Sequence, residues 1–423
     1  MRMDNETYRL KAENLLARLV TDEGEWDPDV RAELEELALA PRKTRYFLKA
    51  LAGTPVPVQV HFYRHVLARA DRDEMIADLE RQIRHRFYEA RDEAKQVLAE
   101  LRSPAVLPAL FKVIALTEEG WLAGELIRLV LTYPPEELAG PLREALHSGD
   151  YLLQCLAIYL VGKAQDDSLL ELLADFYRRP FGEKLDRLEK KAHEALWEGG
   201  RHCSPELIIK WMKDKNARLR DLGVGLAGER RLPQAAADLV GLLLIDPKTR
   251  TKTAETLLAY ESEGVLRFER GEPATEPIAR LLQRAKQEPL IETFQGLLRH
   301  DAIGVRLMAV KLVPFLSDAA PLGSALRRLA VEDYSPPVQA AALRALSLVD
   351  REKLVPTLVD IFTDASGGGT AREVLDVAQT LVDEVLAPKE AEEVRTGVKA
   401  KQEKREAAYD RFAGSVEWWR HDI

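Results

Sequence analysis

Cysteine is nearly absent from this chain. Cys155 and Cys203 are the only two among 423 residues, which excludes a disulfide framework and fits a reducing compartment. Long apolar runs are missing too: no window approaches the roughly 18 apolar residues of a membrane span. Positive charge is in deficit, with 61 Lys and Arg against 70 Asp and Glu and a net charge of −9. Such a chain has no global attraction to nucleic acid or to an anionic membrane. Glycine and proline are spread along the chain and form no long linker tract. The opening segment, MRMDNETYRLKAENLLARLV, is amphipathic with mixed charge and lacks the unbroken apolar core of a signal peptide. We therefore expect a cytoplasmic protein with no membrane span.

Motifs that carry chemistry are equally scarce. The chain has no Gly-rich phosphate loop, nucleophile elbow or zinc-protease helix motif. His61 and His65 are four apart and share a helix face, but a metal site needs a third ligand. His85 is the nearest candidate in sequence, and packing or surface roles are the expected reading for all three. In Arg201-His202-Cys203 the histidine sits beside the thiol in sequence and points away from it on a helix, which leaves the nucleophile without an activating base. Cys155, inside YLLQCLAIYLVG, reads as a buried core thiol. The expectation is no catalytic residue, no cofactor and no metal.

What the chain does have is a repeated apolar frame. In SPPVQAAALRALSLVD (335–350), Val338 is followed by Ala341/Ala342 and Ala345/Leu346, offsets that fall on one face of a helix. Equivalent frames start at Val305, Leu219, Leu153, Leu188, Ala90 and Ala371, with weaker ones at Leu122, Arg250, Val30 and Val58. From Ala90 to Arg250 the starts lie roughly 31–35 residues apart, and a similar spacing joins Val305, Val338 and Ala371. A period in this range marks a solenoid. Between the frames lie leucine-rich segments with polar or proline starts: 103–116, 135–148, 167–179, 232–244, 320–330 and 351–362. The unit is thus a helix pair whose apolar stripes are buried only when pairs stack. Alanines let the helices approach closely, and Pro336 and Pro337 suit a first helical turn, with Ser335 expected as its cap.

The pattern V-R-x-x-A-A-x-x-A-L, seen as VRLMAVKLV at 305–313, VQAAALRAL at 338–346, LRDLGVGLAG at 219–228 and AREVLDVA at 371–378, resembles the HEAT-repeat family. The likeness extends to its bacterial subgroup named after phycobilisome-lyase repeats. An aspartate often stands before this helix, as Asp150 and Asp301 do, with Asp333 a little earlier in another copy. The resemblance covers roughly residues 20–386. It implies an all-α, right-handed superhelical solenoid of about ten or eleven helical pairs, whose concave surface grips other proteins. It leaves function open.

Three features depart from the repeat. The frames at Arg250 and Val305 are 55 residues apart, so an insertion lies near 259–295. Its first part, 259–277, reads as a long loop or short hairpin, either a tolerated surface insertion or a partner-contacting loop through Arg267, Phe268 and Arg270. Residues 41–91 hold 11 Lys/Arg against 6 Asp/Glu, interleaved with six Phe and Tyr. The readings there are solvated faces with internal pairing, an acidic protein partner, or nucleic acid, with Arg84, Arg86 and Tyr88 as candidate contacts. Finally, 387–423 is a charged helical tail ending in AGSVEWWRHDI. Trp418 and Trp419 either cap the last repeat or anchor a docking peptide.

The leading functional expectation is a non-catalytic protein–protein interaction scaffold, with another protein as partner and nucleic acid not expected. The alternatives are a HEAT-like enzyme, either resembling alkylpurine DNA glycosylases or acting as a bilin lyase.

Overall fold

A computed structural model describes residues 4–20, 25–40, 42–69, 72–83, 88–181, 186–269, 272–365 and 369–420. The chain forms two compact units, Met1–Ser204 and Pro205–Ile423. The first holds α1 (Asn5–Arg18), α2 (Pro28–Ala38), α3 (Thr44–Leu51), α4 (Val56–Arg69), α5 (Arg72–Ile83), α6 (Tyr88–Leu101), α7 (Leu107–Leu116), α8 (Gly120–Val130), α9 (Pro135–His147), α10 (Tyr151–Ala164), α11 (Asp167–Tyr177) and α12 (Asp186–Gly200). The second holds α13 (Pro205–Met212), α14 (Ala217–Arg230), α15 (Ala236–Ile245), α16 (Arg250–Ser262), α17 (Glu276–Arg284), α18 (Gln287–Leu297), α19 (Ile303–Leu312), α20 (Gly323–Glu332), α21 (Pro336–Val349), α22 (Arg351–Ala365), α23 (Arg372–Thr380) and α24 (Pro388–Arg420). The fold is all-α. Among the described residues the only β feature is one antiparallel bridge between Val20 and Trp26.

Helices pack on the next helix but one. In the first unit α1, α3, α5, α7, α9 and α11 stack in order as one layer. The second layer contains α2 on α4, α4 on α6, and α10 on α12, and each of its helices pairs across with its predecessor. In the second unit α14, α16, α19, α21 and α23 form a continuous layer, while α13, α15 and α17, and then α20, α22 and α24, lie in the other. In the first unit the frame starts from Val30 to Leu188 fall at helices of the second layer, and in the second unit those from Leu219 to Ala371 fall at α14, α16, α19, α21 and α23. The leucine-rich segments fall in the other layer. Six pairs in the first unit and five repeats in the second account for the expected number, with α24 as a final unpaired helix.

The insertion leaves the second layer unbroken, since α16 packs directly on α19. Its extra residues become a loop and two short helices, α17 and α18, where other repeats have one. No hairpin forms in 259–277 among the described residues. Helix α16 instead runs to Ser262, Leu266 is buried, and the Thr275 hydroxyl donates to the carbonyls of Glu269 and Glu272, both at 3.0 Å. These bonds satisfy backbone groups that a strand ladder would otherwise have to pair.

Helix ends follow local chemistry. Asp4, Asp27, Asp150, Asp166 and Asn216 each accept from two backbone N–H groups of the first turn, which satisfies donors the helix leaves free. Ser335 does not cap α21 as expected; it makes no capping bond. Its own N–H donates instead to Asp333 Oδ1 at 2.9 Å. Close approach is built from small residues. A Cβ on Gly162 would stand 3.1 Å from that of Ala195, between α10 and α12, and one on Gly223 would stand 2.8 Å from the Met212 backbone nitrogen.

The basic zone sends aromatics into the core, while its Arg42, Arg45, Lys49, Arg64 and Arg81 are exposed. Phe47, Phe62 and Tyr63 are fully buried. Lys43 bonds Asn5 and lies over the rings of Tyr8 and Tyr46, 5.8 Å from each. His61 of the same zone meets the Glu35 carboxylate of α2 at 2.9 Å.

The charged tail is one long helix. Its start docks on α22 through buried Ala391 and Val394 and through Gly397, where a Cβ would meet Val359 at 2.8 Å. Arg351 pairs with Glu390, Lys401 with Asp360 and Arg405 with Asp364. Its other side, including Glu392, Arg395, Lys399 and Glu403, is exposed.

Candidate functional site

The expected contact residues are scattered over both units. Arg84, Arg86 and Arg270 lie outside the described residues. Tyr88 opens α6, and Trp418 and Trp419 stand in the last turn of α24; their side chains are likewise outside the described set. Arg267 is exposed and Phe268 half-buried in the loop after α16. His61 and His65 both turn to Glu35 of α2: His61 Nε2 is 2.9 Å from its carboxylate and His65 Nε2 is 3.2 Å from its carbonyl oxygen. Among the described residues, no group of three or more His, Cys, Asp or Glu is arranged to hold a metal. Cys203 is buried, with its thiol donating to the Gly200 carbonyl.

Cys155 corrects the sequence reading. It is half-buried rather than enclosed, and lies between Tyr151 and Tyr159 on the outward face of α10. Leu156, Ala157, Leu160 and Val161 fill the inward face. The residues at 151, 155, 159 and 163 recur every four positions and form one exposed stripe. Tyr151 is 42% exposed, Leu152 48% and Tyr159 47%, and Trp121 on α8 is 46% exposed. A hydrogen bond with the Cys155 thiol raises the Tyr151 hydroxyl above its ordinary pKa, and the nearby Arg187 opposes the rise. Lys163 lies 5.8 Å from the centre of the Tyr159 ring, and Lys95 lies 5.7 Å from that of Trp121. Sequence reasoning missed this face because α10 is apolar almost all round.

The second unit carries a cleft of about 680 Å³ between the start of α19 and the end of α20, lined by Arg299, His300, Arg306, Arg328, Glu332 and Tyr334 among others. The Arg306 guanidinium lies 4.8 Å from the centre of the exposed Tyr334 ring. It is held by Asp333 and by the carbonyls of His300 and Asp301, at 2.8 and 2.9 Å. This arginine is tied up in structure and cannot also serve a ligand.

No family model matches the chain, and no curated protein does. Among solved structures, a mutant of the karyopherin Kap121p is similar over 95% of this chain and 45% of its own, at 10% identity and a TM-score of 0.34. Kap121p bound to Nup53p and to Pho4p is similar at 10% identity, over 95% of this chain and 46% of theirs, with a TM-score of 0.31 in each case. The chain spans less than half the length of these proteins. At these scores the architecture rests on the helix packing itself. Among the described residues, no helix is long and apolar enough to cross a membrane.

Proposed function

We propose that this protein is a non-catalytic scaffold of the HEAT-like kind its repeat pattern resembles, working in the cytoplasm by binding another protein. The observation that supports this most is the outward face of α10, where Tyr151, Leu152 and Tyr159 stay exposed together. Aromatic side chains bury large areas at low entropic cost and dominate protein interfaces. Trp418 and Trp419, at the end of α24, would add a second anchor. Arg267 and Phe268 would contribute from the loop after α16.

The test is affinity capture from native lysate at physiological salt with nuclease present. Wild-type protein is compared with Tyr151→Ala/Tyr159→Ala and with a truncation of 414–423. A protein partner retained by the wild type and lost from the tyrosine variant at unchanged melting temperature supports the scaffold. Capture that disappears with nuclease, or that both variants retain in full, defeats it.

A further inference from the structure

We infer that the end of α24 that runs past α22 docks an amphipathic helix of a partner protein, one that carries carboxylates beside its apolar stripe. This inference rests on the scaffold reading and adds the chemistry of the partner. Helices α22 and α24 lie side by side in the same direction: Arg351 meets Glu390, Asp360 meets Lys401 and Asp364 meets Arg405. Helix α22 then ends at Ala365, whereas α24 continues to Arg420, about 15 residues and about 22 Å beyond Arg405. The face of α24 that meets α22 recurs at 390, 394, 397, 401 and 405, and the same steps of three and four continue through 408, 412, 415 and 419. Those positions hold Ala408, Phe412, Ser415 and Trp419, with Val416 beside them. Against α22, Ala391 and Val394 are buried; past its end, Ala408 is exposed and Tyr409 is 72% exposed. The stripe outlasts the helix that covers it.

The joint with α22 shows what such a stripe takes. There α22 supplies the carboxylates of Asp360 and Asp364, α24 supplies Lys401 and Arg405, and Val359 lies close against Gly397 between them. Arg351 and Glu390, at the other end of the joint, reverse the signs. Past α22 the charges sort by helical position. Lys404 and Arg411 border the stripe on one side and Arg420 on the other, while Glu406, Asp410 and Glu417 fall on the opposite face, in line with Glu392, Lys399 and Glu403. A partner helix built as α22 is, with carboxylates beside its apolar residues, meets both the stripe and its bordering cations. A second copy of α24 brings the same cations and, among the described residues of this stretch, no carboxylate beside the stripe. An anionic membrane or a nucleic acid fits less well, because 406–420 carry three carboxylates against two arginines, so the stretch has no net positive charge to draw a polyanionic surface.

The probe is a fluorescein-labelled helical peptide of about four turns, with a Leu stripe bordered by Glu, read by fluorescence anisotropy against the full chain. Its Lys counterpart and vesicles of phosphatidylserine and phosphatidylcholine serve as the other arms. The Glu peptide should bind, and the Lys peptide and the vesicles should not. Lys404→Glu/Arg411→Glu should weaken binding by about tenfold or more. Arg395→Glu/Lys399→Glu, an equal charge change on the outer face of the same helix, should leave it unchanged. Phe412→Ala/Trp419→Ala should abolish it, and circular dichroism checks that each variant keeps its helix content. Hydrogen exchange needs no variant: the bound Glu peptide should slow the amides of 406–420. Equal binding of the Lys peptide, capture by the vesicles, indifference to Lys404→Glu/Arg411→Glu, or unchanged exchange in 406–420 overturns the inference. So does a dimer of the chain that Phe412→Ala/Trp419→Ala dissociates, which would assign the stripe to a second copy. If native capture survives nuclease and needs the α10 tyrosines while the Glu peptide does not bind, the scaffold stands and this inference falls. If the Glu peptide binds as described while native capture disappears with nuclease, the scaffold reading falls and the docking stripe stands.

Discussion

Arg306 and Asp333 form a two-pronged ion pair between successive repeats. Nε lies 2.8 Å from Oδ2 and Nη2 lies 3.0 Å from Oδ1, with only 6% and 4% of the two side chains exposed. Arg220 and Asp246 repeat the arrangement at 2.7 Å, and Arg220 likewise clamps two turn carbonyls, of Asp214 and Lys215. Both arginines directly follow the first apolar residue of their frame. At that position Gln59 and Gln154 also donate to carbonyls of the preceding turn. The side chain at this place therefore closes the turn before the second-layer helix, satisfying carbonyls the first-layer helix leaves open, and an arginine adds a tie to the next repeat.

Removing one partner of a buried pair strands the other. Arg306→Met is expected to cost about 3–5 kcal/mol, read by urea unfolding. Arg306→Met/Asp333→Leu is expected to recover much of that loss. A double variant as unstable as the single one would show that the carbonyl clamp, and not the ion pair, carries the effect.

Gly223→Ala is expected to lower the melting temperature, because its Cβ would meet backbone atoms of α13, Met212 N at 2.8 Å and Ile208 O at 3.2 Å. Backbone yields less readily than a side-chain tip, and overpacking costs about 1–3 kcal/mol. Gly241→Ala in α15, with nothing within 4 Å, should stabilise by up to about 1 kcal/mol through helix propensity. Equal melting of the two variants would contradict the close approach of α13 and α14.

Ala342 is fully buried on α21, which packs against α19, α20, α22 and α23. Ala342→Leu should destabilise by about 1–3 kcal/mol, whereas Arg344→Leu, on the exposed side of the same helix, should not. A thermal melt of each variant decides the matter.

Acid should loosen the docking of α24. Burial of Asp360 opposes its ionisation, but hydrogen bonds from Lys401 and Arg327 outweigh burial and hold the carboxyl below its ordinary value. A carboxyl depressed in the folded state contributes stability above its unfolded pKa, near 4, and loses it as pH falls through the folded value. Wild type and Asp360→Asn should therefore differ in melting temperature at neutral pH and converge on acidification below about pH 4. A constant difference across that range would count against the bridge.

Much of this was legible beforehand for a plain reason. A helix buried on one side by stacking must repeat its apolar residues every 3.6 positions, so each frame from Val30 to Ala371 could be read as the same member of its helix pair without coordinates. The arginine of the V-R pattern stood in the sequence, but its role in closing the turn was not readable there, because its partners lie in the preceding turn and the next repeat. The capping role of Ser335 failed because Pro336 and Pro337 bring no N–H to the first turn and the Val338 N–H already bonds the Ser335 carbonyl at 3.0 Å. Cys155 was misplaced because YLLQCLAIYLVG offers apolar residues on every side, and periodicity cannot choose a face where all faces look alike.

The amino-acid sequence by itself determined the helices, their pairing period and the absence of membrane-spanning runs, because these depend on spacing and composition along one helix. Tertiary structure alone decided that α16 packs on α19 across the insertion, that α24 docks on α22, and that Tyr151, Cys155 and Tyr159 line the outward face of α10. Those outcomes depend on which stripes meet and how near their backbones come. A glycine opposite an alanine, as at Gly162 and Ala195, acquires that meaning only when the two helices are brought together.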